Sequence, residues 1–388
     1  MIRKLSIALA AAAAFAAPAS AQSIKIGFSL AKTGLFAQAA PSQLNAYELW
    51  REQVNAKGGL DVAGKKRMVE FVQYDDQSNP GNAVRIYEKL ITDDKVELLL
   101  APWGTPHHFA LAPVLEKYKF PMVGNTASSV QLRALKPGYI WFPTSAHPDK
   151  MGEQLAEMAK ANGYKSAAIV ANVLPLAKEI KAALVPALAK AGIAVKVNEE
   201  YPPDIKDMTA ILTKVKAAAP EALFILSYPS DSVLYAKQAK ELGIAAPLQF
   251  VAVGPAIDFY TKVVGPSANG IVTMGHWSPA KADWKRAKPF HDAYVKKFNA
   301  KPDYLDSVLA YMSCEILEQA VAKAGTDKEK LRQAISTMTF DTINGPVKFQ
   351  GVQNAITPTA FLQIQGSELQ IVWPKSIATS AFKAKTGW

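Results

Sequence analysis

Apolar residues alternate along the chain between short unbroken runs and longer stretches spaced every three to four positions. Buried strands produce the first pattern and amphipathic helices the second. IKIGFSL (24–30) reads as a strand, and NAYELWREQVNAKGG (45–59) as a helix with one apolar face, ended by two glycines. VEFVQYDD (69–76), VELLLAPW (96–103) and FPMVGNT (120–126) repeat the strand pattern, with helical stretches near 80–92 and 107–118 between them. Strands separated by helices of this length predict right-handed crossovers and a parallel sheet. YIWFPTS (139–145) breaks the rhythm.

A second series follows. A helix near 148–162 leads to SAAIVANV (166–173), IAVKVNEEY (193–201), ALFILSYP (222–229) and LQFVAVG (248–254), with helices between them. IVTMGHW (271–277) precedes helical stretches near 283–298, 304–324 and 327–337. PVKF, AFLQIQ and LQIVWP then alternate around Gly366-Ser367 and predict a β-hairpin. One α/β unit thus follows another, with no low-complexity linker and no short-period repeat.

The first 21 residues stand outside this pattern. MIRKLSIALAAAAAFAAPASA carries Arg3 and Lys4, an apolar run and then Ala19-Ser20-Ala21, the layout of an export signal cleaved after Ala21. Its apolar run is shorter than the roughly 20 residues a membrane span needs. Removing it leaves 367 residues, enough for two domains. The single cysteine, Cys314, excludes an internal disulfide and sits in an apolar helical stretch, which predicts a buried, inert thiol. The net charge is +11, but the lysines are spread thinly over helix faces such as Lys178, Lys181 and Lys190. That distribution describes solvated faces rather than a nucleic-acid surface.

Catalytic patterns are weak. Gly59 to Lys66 (GLDVAGKK) approaches the phosphate loop GxxxxGK[ST], but Lys66 replaces the hydroxyl that would hold Mg²⁺, and the segment precedes a strand instead of a helix. It reads as a turn. His107 and His108 are adjacent, so on a helix they diverge by about 100° and cannot chelate like an i, i+4 pair. The chain contains no HExxH, no GxSxG and no calcium-loop spacing. Neither a catalytic residue, a metal nor a cofactor is expected.

What remains is a set of strand ends rich in small polar groups. LLLAPWGTPHHF (98–109) carries a greasy strand straight into Trp103, Gly104 and Thr105, and Asn125, Thr126, Ala127 and Ser128 follow the next strand before a short helix at 129–135. In open α/β sheets ligands bind at such carboxyl ends. Hydroxyls and backbone N–H groups there can hold a carboxylate, although the same residue types also cap helices.

IKIG at the start of the exported chain, NAKGGLDVAGKK (55–66), YDDQSNP (74–80) and the late GPVKF run resemble, in this order, the periplasmic leucine/isoleucine/valine-binding proteins of ABC importers. The resemblance spans the whole chain after the signal. It implies a type I periplasmic binding fold, two doubly wound α/β lobes joined by three crossing segments near 144, 276 and 357. Lobe 1 would comprise 22–144 and 277–357, and lobe 2 145–276 and 358–388. The resemblance places Thr105, Thr126 and Ser128 on the ligand's carboxylate, with Trp103, Gly104 and Ala127 on the same wall, Phe36 above it, and Leu176 and Tyr228 covering the ligand from the second lobe. Where amino-acid binders of this family carry an acid for the ligand's ammonium, this chain has Gly254-Pro255. A buried ammonium without a carboxylate costs several kcal/mol. Asp231 and Asp258 are the acids that could substitute, and each is expected instead to cap the helix that follows it.

These features imply a monomeric, non-catalytic periplasmic protein. It would close on a small apolar carboxylate and deliver it to the membrane permease of an ABC importer. Phe36, Trp103, Tyr228 and the nearby histidines suit a benzoate- or hydroxycinnamate-like ring. The alternatives are a branched-chain amino-acid binder, a sensor docking on a receptor, and an exported enzyme, which the motifs disfavour.

Overall fold

The computed structural model describes residues 23–366 and 368–388. The expected export signal lies outside the described residues. The chain alternates β1 (Ile24–Leu30), α1 (Ala40–Ala56), β2 (Val69–Asp75), α2 (Pro80–Thr92), β3 (Leu98–Leu99), α3 (Thr105–Tyr118), β4 (Met122–Val123), α4 (Val130–Ala134) and β5 (Ile140–Trp141). β1 runs parallel to β2 from Ile24↔Val69 to Leu30↔Asp75 and parallel to β3 through Ile26 and Gly27. A parallel bridge, Leu100↔Val123, continues the layer to β4, which pairs parallel with β5. The third, fourth and fifth strands are much shorter than their apolar runs, because the chain leaves the sheet early: Pro102 lacks a ladder N–H and Gly104 turns the backbone at φ +83. That early exit aims Trp103 and Thr105 out of the strand end.

The second series is α5 (Pro148–Ala161), β6 (Ser166–Asn172), α6 (Pro175–Lys190), β7 (Ala194–Tyr201), α7 (Thr209–Ala218), β8 (Ala222–Leu226), α8 (Pro229–Leu242), β9 (Leu248–Val251), α9 (Asp258–Val264) and β10 (Val272–Met274). The returning hairpin β11 (Phe361–Gln365) and β12 (Glu368–Trp373) completes a seven-stranded sheet in the order β12-β11-β10-β9-β8-β6-β7. β6 and β8 are buried at every position, as strands covered by helices on both faces must be. α5 and α6 pack so closely that a Cβ on Gly152 would meet the Ala183 Cβ at 2.6 Å.

Between β10 and β11 the chain returns to the first lobe through α10 (Ala287–Phe298), a π-helical turn (Tyr304–Val308), α11 (Leu309–Ala324) and α12 (Lys328–Thr337). Cys314 is fully buried in α11. One detail differs from the sequence expectation. PVKF belongs to a small antiparallel sheet of Thr339–Thr342, Gly345–Gln350 and Gln353–Asn354, not to the late hairpin. The GLDVAGKK turn is the tip of a hairpin pairing Leu60–Val62 with Lys65–Arg67.

Three segments pass side by side between the lobes and are stitched together by side chains. Ser145 Oγ meets His276 Nδ1 at 2.6 Å, Thr359 Oγ1 donates to the Ser145 carbonyl, and Asn354 Nδ2 donates to the Pro143 carbonyl at 2.8 Å. Tyr304 also bonds His276 Nδ1, at 2.7 Å. Burial pushes the His276 imidazole down to about 3 and His147 down to about 4, so both are neutral near pH 7.

Candidate functional site

The strand ends of the two lobes face each other across a closed cleft. Phe36 lies at the centre of an aromatic box, 4.8 Å from the Trp103 ring, 5.9 Å from His107 and 5.8 Å from Tyr228 of the opposite lobe. All four side chains are buried. The structure therefore brings Phe36, Trp103 and Tyr228 together, with Leu176 buried in the first turn of α6 and Thr105, Ala127 and Ser128 buried at the neighbouring strand ends. The Tyr228 hydroxyl is buried with no acceptor for its proton.

The polar groups divide into those the fold consumes and those it leaves free. Thr126 belongs to the first kind: its hydroxyl accepts the Gly104 N–H at 2.8 Å and donates to Asn125 Oδ1 at 3.0 Å, so it staples two strand-end loops and has no proton left for a ligand. His147 Nε2 faces the Asn354 carbonyl at 3.1 Å and must carry the proton there. Its Nδ1 is then bare and takes the Ser128 hydroxyl proton at 3.3 Å. The Ser128 oxygen is thus an acceptor toward the cleft, not the donor expected from sequence. The Thr105 hydroxyl remains available, since its nearest partner is the Ser128 carbonyl at 3.5 Å. Among the described residues the backbone N–H groups of Ala127 and Ser128 make no hydrogen bond. Three donors converge from two strand ends, enough to hold a carboxylate without an arginine.

Neither acid considered from sequence reaches this box. Asp231 is saturated: Oδ1 accepts the Tyr228 N–H at 2.9 Å, and Oδ2 accepts from Asn172 at 2.9 Å and Tyr201 at 2.6 Å. Asp258 does not cap α9 with its side chain as expected; it pairs with Lys262 and lines a separate crevice with Pro255, Trp277 and Lys301. Gly254 turns away from the cleft, with its N–H on Ser232 Oγ at 3.1 Å. A Cβ there would sit 2.2 Å from the Ser232 Cβ, so no acid can be placed at 254 without moving α8. Gly254→Ala is expected to lower stability by roughly 1–3 kcal/mol. Thermal melts of Gly254→Ala alone and combined with Ser232→Gly check this, because the second change should restore most of the loss.

Two acidic residues that the sequence did not flag do reach the cleft. Asp306, on the π-helical turn, is completely buried and accepts the Trp103 Nε1–H at 2.6 Å. Glu179, on α6, crosses between the lobes: it accepts from Ser129 Oγ at 2.7 Å, from the Val130 N–H at 2.7 Å and from the Gln131 N–H at 3.2 Å. Ser230 Oγ, 3.3 Å from the Leu35 carbonyl, and Arg133, 2.9 Å from Asp149, close the same seam.

Two sheets built on parallel strands, the second completed by an antiparallel hairpin, with three crossing segments and a closed cleft lined from both sides, define a type I periplasmic binding fold. The periplasmic binding protein family model matches residues 23–368, and the chain belongs to that family. It is an extracytoplasmic, non-enzymatic solute-binding protein. It is 24% identical to Leu/Ile/Val-binding protein homolog 7 of Brucella melitensis, over 98% of both chains. It is 25% identical to the leucine-, isoleucine-, valine-, threonine- and alanine-binding protein of Pseudomonas aeruginosa, over 90% of this chain and 91% of that one. Among solved structures, a solute-binding protein of an ABC transporter from Rhodopseudomonas palustris in complex with 3,4-dihydroxybenzoic acid superposes with a TM-score of 0.80 at 24% identity, covering 93% of this chain and 98% of that one. The branched-chain amino-acid protein LivJ of Streptococcus pneumoniae in complex with isoleucine superposes with a TM-score of 0.81 at 21% identity, covering 91% and 100%.

Proposed function

We propose that this protein binds an aromatic carboxylate of the benzoate or hydroxycinnamate type and delivers it to the permease of an ABC importer. In this reading it is a monomer exported by a signal cleaved after Ala21, with lobes 22–144 plus 277–357 and 145–276 plus 358–388 closing on the ligand. The observation that carries the reading is the box of Phe36, Trp103 and Tyr228, contributed by both lobes beside the Ala127 and Ser128 N–H groups and the Thr105 hydroxyl, whose own bond to the Ser128 carbonyl is long at 3.5 Å. A flat ring buries its faces against the box while Thr105 and the Ala127 and Ser128 N–H groups hold the carboxylate. Burial holds the Asp306 carboxyl well above the usual carboxylate range, so Asp306 itself sets no fixed negative charge against the anion. The Rhodopseudomonas relative with 3,4-dihydroxybenzoic acid lends support.

A second reading, transport of branched-chain amino acids, draws on the Leu/Ile/Val-binding relatives and on Asp306, which an ammonium could ionise. Side-by-side calorimetric titration of the exported chain with leucine, valine, benzoate and 4-hydroxybenzoate separates the two. An aromatic acid is expected to bind at least about tenfold tighter than leucine, a gap of ~1.4 kcal/mol or more. Leucine as the tightest ligand would transfer the function to the second reading.

A further inference from the structure

Asp306 has one carboxyl oxygen on Trp103 Nε1 and another, Oδ2, that is buried without any hydrogen-bond partner. Leaving such an oxygen unpaired in a closed interior is costly unless something arrives to meet it. The residue sits on a π-helical turn, a local unwinding of the long helical stretch, whose N-cap Asp303 accepts the N–H groups of Asp306 and Ser307, both at 2.8 Å. The turn is thereby fixed and Asp306 held against the edge of the Trp103 ring, the central wall of the aromatic box. The Tyr228 hydroxyl, from the opposite lobe, and His107 Nδ1 are also buried in that box without a hydrogen-bond partner. An all-apolar ring with a single carboxylate would leave the Asp306 oxygen unmet.

Building on the aromatic-acid reading, we propose that Asp306 contacts the ligand directly and selects a second polar group on it, so that the preferred ligands are ring-hydroxylated aromatic acids rather than benzoate. The carboxyl oxygen of Asp306 hydrogen-bonds the ring hydroxyl, while the Thr105, Ala127 and Ser128 donors hold the carboxylate.

Calorimetry of the full exported chain with benzoate, 3-hydroxybenzoate, 4-hydroxybenzoate and 3,4-dihydroxybenzoate tests this, with the wild type beside Asp306→Ala and the volume-filling Asp306→Leu. At least one hydroxylated acid should bind the wild type about tenfold to a hundredfold tighter than benzoate. In both variants that ratio should fall toward one, because the hydroxylated acid loses far more affinity than benzoate does. Equal losses for benzoate and the hydroxylated acids would make Asp306 a support for Trp103 alone and overturn the assignment. An unchanged ratio, or a wild type that prefers benzoate, would also overturn it. If the wild type takes no aromatic acid, the aromatic reading fails and the same variants are titrated with leucine and 4-methylpentanoate. Collapse of a leucine preference then upholds Asp306 as the selector of a ligand proton donor, and a preserved preference removes it.

Discussion

Glu179→Ala is expected to weaken ligand binding by about 2–4 kcal/mol, a factor of ~30–1,000 in Kd, although Glu179 is placed to grip the other lobe instead of the ligand. Its carboxylate takes the Ser129 hydroxyl and the Val130 and Gln131 N–H groups at the start of α4, all from the first lobe, while α6 belongs to the second. These three bonds join the two lobes, so opening the cleft would break all three and return Glu179 and the α4 N–H groups to water. A charge-assisted hydrogen bond contributes roughly 1.5–3 kcal/mol net, and three sharing one carboxylate contribute less than their sum. Removing them lowers the closed fraction, and apparent affinity falls with that fraction because only the closed form surrounds the ligand. The loss should appear chiefly as faster dissociation. Stopped-flow release and small-angle scattering of the liganded variant check both halves. Unchanged dissociation together with an unchanged closed envelope would mean that the aromatic seam alone holds the lobes. Ser129→Ala should give a smaller loss in the same direction, since it removes one of the three donors and leaves the two N–H groups.

The architecture was legible because its signals are periodic. Buried strands such as Ser166–Asn172 and Ala222–Leu226 are apolar runs of the right length, and the helices between them end at Gly58, Gly163 and Gly243, where a positive φ is needed. The aromatic and small polar residues of the box were legible for a related reason: they follow directly on the strands that aim them. The roles of individual hydroxyls were not, because a hydroxyl's role depends on partners far away in sequence. Thr126 is spent on Gly104, 22 positions away, and Ser128 on His147, 19 positions away. Asp306 and Glu179 were missed because each stands on an otherwise apolar helical face, where a lone acid was absorbed into the helix pattern. Glu179 follows Leu176 by three residues and precedes Ile180, and Asp306 interrupts YLDSVLAYM. A carboxylate at a core-facing helical position was the available signal, since it is buried only when something meets it. Gly254 shows the converse. Its lack of a side chain reads as a missing acid, yet its role is to let Ser232 approach the end of β9.

Acid should loosen the crossing segments, and the buried histidines identify the pH range. His147 bonds the Asn354 carbonyl and Ser128, and His276 bonds Ser145, Tyr304 and Asn344, so the two rings tie together all three strands of chain that join the lobes. Burial holds them down at about 4 and about 3, below the ordinary value near 6.5 that an unfolded chain regains. The folded form therefore binds fewer protons than the unfolded form between these values. The stabilisation is fully present above pH ~6.5 and is lost progressively as pH falls toward 3–4. pH 5 lies about 1.5 units below the unfolded value and above both folded ones, which corresponds to ~2 kcal/mol per histidine at 1.36 kcal/mol per unit. The net slope of the protein does not isolate this contribution, because burial raises the Glu315 carboxyl to about 8 and its protonation favours the folded form as pH falls. A comparison between variants does. Glutamine is neutral at every pH, so the loss of stability between pH 7 and pH 5 should shrink by about 2 kcal/mol in His276→Gln and by about 4 kcal/mol in the double variant with His147→Gln. Urea melts at the two pH values give the slope whatever the absolute cost of each substitution. A slope identical to that of the wild type would show that the rings protonate inside the fold, and the neutral hinge inferred from their burial would have to be abandoned.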